Sequence, residues 1–123
     1  MRDGTAFERT AGYSRAVQMG GYVAVSGTAA LGPDGVALHP GDAYLQTKAA
    51  LSRALEAAEQ LGAPRERIIR TRLLLTPGCD WREAAKAHGE LLGGVDPANT
   101  TVFVGALIPE GCVVEVEVDG VVQ

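Results

Sequence analysis

PANTTVFVGALIPEGCVVEVEVD, residues 97–119, is the stretch whose reading decides the fold. It predicts two β-strands that reverse over Ile108 to Gly111, where a proline and a glycine separate two β-branched runs. Side chains leave alternate faces of a strand, so Cys112, Val114, Val116 and Val118 point one way and Val113, Glu115, Glu117 and Asp119 the other. One face of that strand therefore carries three carboxylates. The run from Thr100 to Leu107 is largely apolar on both faces, the pattern of a strand buried on both sides. If it pairs with the acidic strand, the surface bearing Glu115 needs a cover, and in a short chain the expected cover is a second copy.

Working outward, Ala16 to Met19 and Tyr22 to Thr28 flank Gly20-Gly21 and predict a hairpin that opens the sheet. Phe7 to Thr10 reads as a short edge strand, and residues 29–41, with Pro-Asp-Gly and His-Pro, as a loop. Asp42 offers an N-cap to a long helix. Its inward stripe is Tyr44, Thr47, Leu51, Ala54, Leu55, Ala58 and Leu61, and Gly62 stops it. Residues 68–76 predict a strand with Ile69, Thr71, Leu73 and Leu75 on one face and Arg70, Arg72 and Leu74 on the other. Asp80 and Glu83 open a second helix, with Trp81, Ala84, Ala85, His88, Leu91 and Leu92 sharing a face before Gly93-Gly94. This order predicts an α+β domain spanning 1–123, with both helices on one face of a mixed sheet. The opposite face, with Glu115, Glu117, Arg70 and Arg72 among Val and Leu, is then open, and such a surface marks an interface.

Composition narrows the function. The chain has 123 residues, 46% hydrophobic, 21% charged, with a net charge of −4, so one core is affordable and a phosphate-binding surface is not expected. No apolar run is long enough to span a bilayer, and MRDGTAFERT lacks the apolar region of a signal peptide, which predicts a cytoplasmic chain. Cys79 and Cys112 match no metal-ligand spacing, so reduced thiols and no metal are expected, with Cys112 packing as a small hydrophobe. There is no nucleotide-binding glycine loop. His88, beside Ala84, Leu91 and Leu92, reads as a packed, hydrogen-bonded histidine, and His39 as a solvent-exposed loop residue.

GYSRAV at 12–17, VSG at 25–27, Pro97-Ala98 before a strand, and VEVEVDGV at 114–121 together resemble the Rid family, the reactive-intermediate deaminases also called YjgF-like proteins. The ordered set carries the resemblance across nearly the whole chain. It implies a chorismate-mutase-like fold, a homotrimer with clefts between subunits, and cofactor-independent hydrolysis of imines and enamines such as 2-aminoacrylate. It also implies a glutamate that places water at Glu115, a tyrosine at Tyr13 and a serine at Ser26 lining the cleft. The family's carboxylate-gripping arginine falls on Asn99, and a cysteine often found two residues later is Thr101. An asparagine brings one amide and no charge where an arginine brings a planar fork. Losing a charge-assisted bond of about 1.5–3 kcal/mol weakens carboxylate binding by roughly one to two orders of magnitude. Arg15 and Arg72 are the alternative guanidinium groups. For Arg72 the competing reading is an ion pair with Glu117 or Asp119. Three functions are expected in descending order: an imine or enamine hydrolase, a metabolite-binding trimer without turnover, and an endoribonuclease.

Overall fold

The computed structural model describes residues 1–122. Helix α1 (Ala6–Ala11) precedes a hairpin of β1 (Ala16–Met19) and β2 (Tyr22–Ala29). Helix α2 (Ala43–Gln60), β3 (Ile68–Leu75), α3 (Trp81–Leu92), β4 (Ala98–Phe103) and β5 (Val114–Val121) follow, with one 3₁₀ turn at Arg65–Arg67 before β3. The five strands form one mixed sheet in the order β1-β2-β5-β3-β4, in which only β3 and β4 run parallel. Both longer helices pack on the same face. Val114, Val116 and Val118 are fully buried there against Leu51, Leu73, Leu75 and the alanines of α2, confirming the valine face of β5.

The predicted reversal of 97–119 into a hairpin is overturned. β5 enters between β2 and β3, while β4 lies at the far edge in parallel with β3, and residues 104–113 carry the chain back across. A parallel pair needs a crossover, and α3 supplies it between β3 and β4. All six residues of β4 are exposed, so its two apolar faces line a bare edge rather than a doubly buried strand. Phe103 is 54% and Val102 42% exposed.

Residues 7–10 are helical rather than extended. Thr5 Oγ1 accepts from Glu8 N at 3.1 Å, and the Glu8 carboxylate reaches back to accept from Asp3 N at 3.0 Å and Gly4 N at 2.8 Å. These bonds, led by Asp3, hold the Glu8 carboxyl below the ordinary carboxylate range. A Thr-x-x-Glu start and Gly12 in the left-handed region (φ 73°) close α1 at both ends. Two further assignments shift. A register irregularity between Ile68 and Arg70 turns Ile68 inward and leaves Ile69 exposed. Along α3 the buried positions are Ala84, Ala87 and Leu92, whereas Trp81 and Ala85 face out.

α2 keeps the predicted Asp42 cap, with Asp42 Oδ1 accepting from Leu45 N at 2.9 Å, and ends before Gly62 at φ 99°. Its stripe also holds Gln46, fully buried, which the hydrophobic pattern did not include. Gln46 Nε2 donates to Leu38 O at 3.0 Å and Gly111 O at 2.8 Å, and its Oε1 accepts from Val113 N at 2.7 Å. One side chain thus ties both long loops to the helix layer.

Candidate functional site

The open face of the sheet is built from β5, β3 and β2. Cross-strand register sets Arg72 opposite Glu117 and Arg70 opposite Asp119, and Glu115 lies between Leu74 and Ala29. Arg72 Nη1 is 3.1 Å from Glu117 Oε1 and 3.7 Å from Asp119 Oδ2, so the ion pair expected as its alternative role forms within one chain. That leaves Arg72 committed to its strand neighbours.

Glu115 has a different setting. Between Val25 and Thr28 the β2–β5 register slips by one residue, and this bulge brings the backbone of Gly27 against the Glu115 side chain. A Cβ on residue 27 would fall inside contact distance of Glu115 Oε1 and 3.2 Å from its Cδ, so it is the bare backbone of glycine that lets the carboxyl lie there. Arg15 fastens the bulge from beneath: its Nη2 donates to Ser26 O at 3.0 Å and Gly27 O at 2.6 Å. Ser26 Oγ donates to Ser14 O at 2.6 Å, which ties β2 to the segment before β1 and leaves the hydroxyl its acceptor lone pairs. Burial pushes the Glu115 carboxyl above its ordinary value, the Arg15 charge opposes that rise, and Glu117 adds to it.

The end of α1 sets the remaining wall. Tyr13 N donates to Glu8 O at 3.1 Å, and the Tyr13 ring meets Phe7 edge-on, with centroids 5.6 Å apart. A cavity of about 280 Å³ results, whose lining includes Tyr13, Arg15, Gly27, Arg53, Ile108 and Glu115. Sequence reasoning had named Glu115, Tyr13 and Arg15 but missed Gly27's steric part and Arg53, because nothing in the local pattern signals a contact across the sheet or from α2.

Asn99 and Thr101 lie elsewhere in the chain, on β4 at the far side of β3. Asn99 Nδ2 lies 3.0 Å from Thr71 Oγ1, Thr101 Oγ1 donates to Asn99 Oδ1 at 2.8 Å, and Thr71 Oγ1 is 2.7 Å from His88 Nε2. His88 is therefore packed and hydrogen-bonded as expected, and burial lowers its pKa. Thr101 also lines a separate apolar cavity of about 350 Å³ with Leu75, Trp81, Val102 and Phe103. Within one chain the predicted site residues thus fall into two separate groups, one around Glu115 and one on β4.

Other openings offer less chemistry. The cavity of about 490 Å³ between the starts of α2 and α3 is lined by Asp42 and Asp80, whose carboxylates already accept from helix N–H groups. Cys79 beside it is pushed up by burial and then by Asp80, away from thiolate character. Cys112 is buried, as its hydrophobic reading required. Among the described residues no cluster of His, Cys, Asp and Glu could hold a metal ion, and no helix is long and apolar enough to cross a membrane.

Gly27→Ala is expected to fold, because the clashing atom is the mobile end of a side chain, but to displace the Glu115 carboxylate from its half-buried position. The measurable result is a Glu115 pKa that moves back toward the ordinary carboxylate value, read by carboxyl carbon NMR titration. An unchanged pKa would show that Gly27 does not shape the site.

Comparison with known proteins places this geometry. The Endoribonuclease L-PSP family model matches residues 4–122. An uncharacterized Streptomyces coelicolor protein is 37% identical over 119 residues, covering 97% of this chain and 88% of its own length. A crystal structure of a YjgF/YER057c/UK114 family member from Mycobacterium tuberculosis superposes with a TM-score of 0.86 at 38% identity, covering 99% of this chain and 97% of that one. The Rid family protein YyfA from Yersinia pestis has a TM-score of 0.79 at 30% identity, over 89% of this chain and 87% of its own. Family match and relatives agree that the chain belongs to the Endoribonuclease L-PSP family, the YjgF/YER057c/UK114 group that includes Rid proteins.

Proposed function

We propose that this chain is a cytoplasmic, cofactor-independent hydrolase of small imines or enamines, working as a homotrimer with its clefts between subunits. The observation that carries the reading is the Glu115 carboxyl, raised by burial in a cavity shared with Tyr13 and Arg15. A carboxyl with an elevated pKa is suited to take a proton from water near neutrality and return it. Glu115 would deprotonate a water as it adds to the C=N carbon. It would then hand the proton to nitrogen, and the carbinolamine would collapse to a carbonyl compound and ammonia. Tyr13 orients the substrate in this scheme.

Assembly follows from what one chain leaves uncovered. β4 is an unpaired edge bearing Val102 and Phe103, next to the exposed Trp81. A neighbouring subunit laid there would bring the Asn99–Thr101 half-site to the Glu115 half-site of another chain. Because Asn99 is held by Thr71 and Thr101, a free 2-aminoacrylate-like carboxylate gains no guanidinium at that position.

That same observation favours one second reading, a trimer that binds a metabolite without turnover. An endoribonuclease role is the weakest of the three, since a net charge of −4 gives no electrostatic footprint for RNA. Sedimentation velocity with an ammonia-release assay on amino-acid oxidase products separates them. A trimer that speeds ammonia release supports the hydrolase, and a trimer stabilised by a ligand with no acceleration supports the binder. A monomer at micromolar concentration would remove both.

A further inference from the structure

Arg15 is a guanidinium with more donors than partners. Its side chain is 9% exposed, and its two strong bonds, to Ser26 O and Gly27 O, both come from Nη2. Nη1 lies 3.8 Å from Asp3 Oδ2, too far for a hydrogen bond, and the buried Nε has no partner. Buried donors without partners are rare in folded proteins and call for an explanation. Nearby charge does not supply one. Asp3 is shared with Arg53, whose Nη2 donates to it at 3.0 Å, and the Glu8 carboxylate is occupied by Asp3 N and Gly4 N. Glu115, the remaining carboxyl, lines the same cavity but makes no hydrogen bond or ion pair with Arg15 among the described residues. The cavity, a space of about 280 Å³, is thus lined by two guanidinium groups that share Asp3 as their one ion-pair partner among the described residues.

The other half-site has the opposite character. Asn99 Nδ2 sits 3.5 Å from Thr71 O as well as 3.0 Å from Thr71 Oγ1, and a carbonyl only accepts, so the amide nitrogen faces β3. Asn99 Oδ1 then takes the Thr101 hydrogen. Thr101, the polar group on the wall of the apolar cavity, has lone pairs left to offer and no hydrogen. An oxygen-rich ligand group finds acceptors there and donors at Arg15.

We propose that Arg15, with Arg53 beside it, holds the ligand's acceptor oxygen, a carboxylate or a carbonyl, next to Glu115. This rests on the Glu115 cavity being the ligand site and sets the ligand's orientation: acceptor end at Arg15, apolar or donor end toward Asn99 and Thr101.

The test uses the full chain labelled with ¹⁵N-arginine, titrated with benzoate and with benzamide as its neutral carbonyl counterpart. Benzoate is expected to shift the Arg15 Nε–H resonance, and Arg15→Gln to weaken its binding about tenfold or more, the value of a charge-assisted bond. Arg72→Gln leaves binding unchanged. Tighter binding of benzoate assigns the subsite to carboxylates, and equal binding of the two probes assigns it to carbonyl oxygens. An Arg15 resonance unmoved at saturating probe, equal affinity in Arg15→Gln, or no binding of either probe overturns the proposal. Should Arg15→Gln fail to fold, the resonance of the parent protein decides alone. Ammonia release plays no part in this readout, so the hydrolase reading and the Arg15 subsite can fail separately.

Discussion

Glu115→Gln is expected to lower ammonia release by about 10²- to 10⁴-fold, the usual contribution of a positioned general base, while the same substitution makes the folded protein more stable at neutral pH. The two effects share one cause. The Glu115 pKa is raised above 4.5 by burial, so the folded chain holds its proton at pH values where the unfolded chain has released it. Stability therefore falls as pH rises from the ordinary carboxylate value through the raised one, and it stays lower above that window. Glutamine removes the dependence. Denaturant midpoints of the two proteins should coincide at acid pH and separate in favour of Glu115→Gln as pH increases. Activity of the parent should rise through the same window, because the base must be ionised to take a proton from water. A variant that keeps its activity would relieve Glu115 of the catalytic role. A destabilised one would show that its carboxylate is well solvated or paired.

Gln46→Leu carries the largest expected stability loss, about 3–5 kcal/mol, since it strips partners from two carbonyls and one N–H at roughly 1–3 kcal/mol each. Leu38 O, Gly111 O and Val113 N each lose the amide partner that the fully buried Gln46 side chain supplied. The loss is read from chemical denaturation at fixed protein concentration, because any self-association adds to apparent stability. The loop held at Gly111 also carries Ile108 and Pro109, which line the Glu115 cavity, so ligand affinity should fall with stability. A loss below about 1 kcal/mol would mean that the loops are held by other contacts.

The parts of this fold that could be read from the sequence are those determined over a few neighbouring residues. The valine alternation of β5, the Asp42 and Asp80 caps and the stop at Gly62 all follow from local chemistry, and all stand as expected. Strand partnership does not follow from local chemistry. A proline and a glycine before β5 suggest a hairpin, yet β3 inserts between the two final strands. α1 was legible in Thr5, Glu8 and Gly12, signals that the reading of Phe7 to Thr10 as an edge strand did not use. At the site, the Arg72–Glu117 pair could be anticipated from strand periodicity, since both residues point to the open face. Gly27 and Gln46 could not. Each owes its place to a partner more than sixty residues away along the chain or across a bulge that no propensity encodes.

Because the carboxyl of residue 115 occupies the space a side chain on residue 27 would need, these two positions form one inherited unit. A descendant that retains the long acid can take a side chain at 27 only by moving the carboxyl aside. One that shortens or discards the acid frees that space for an alanine or serine. A side chain at 27 thus becomes a marker that the acid at 115 has moved or gone.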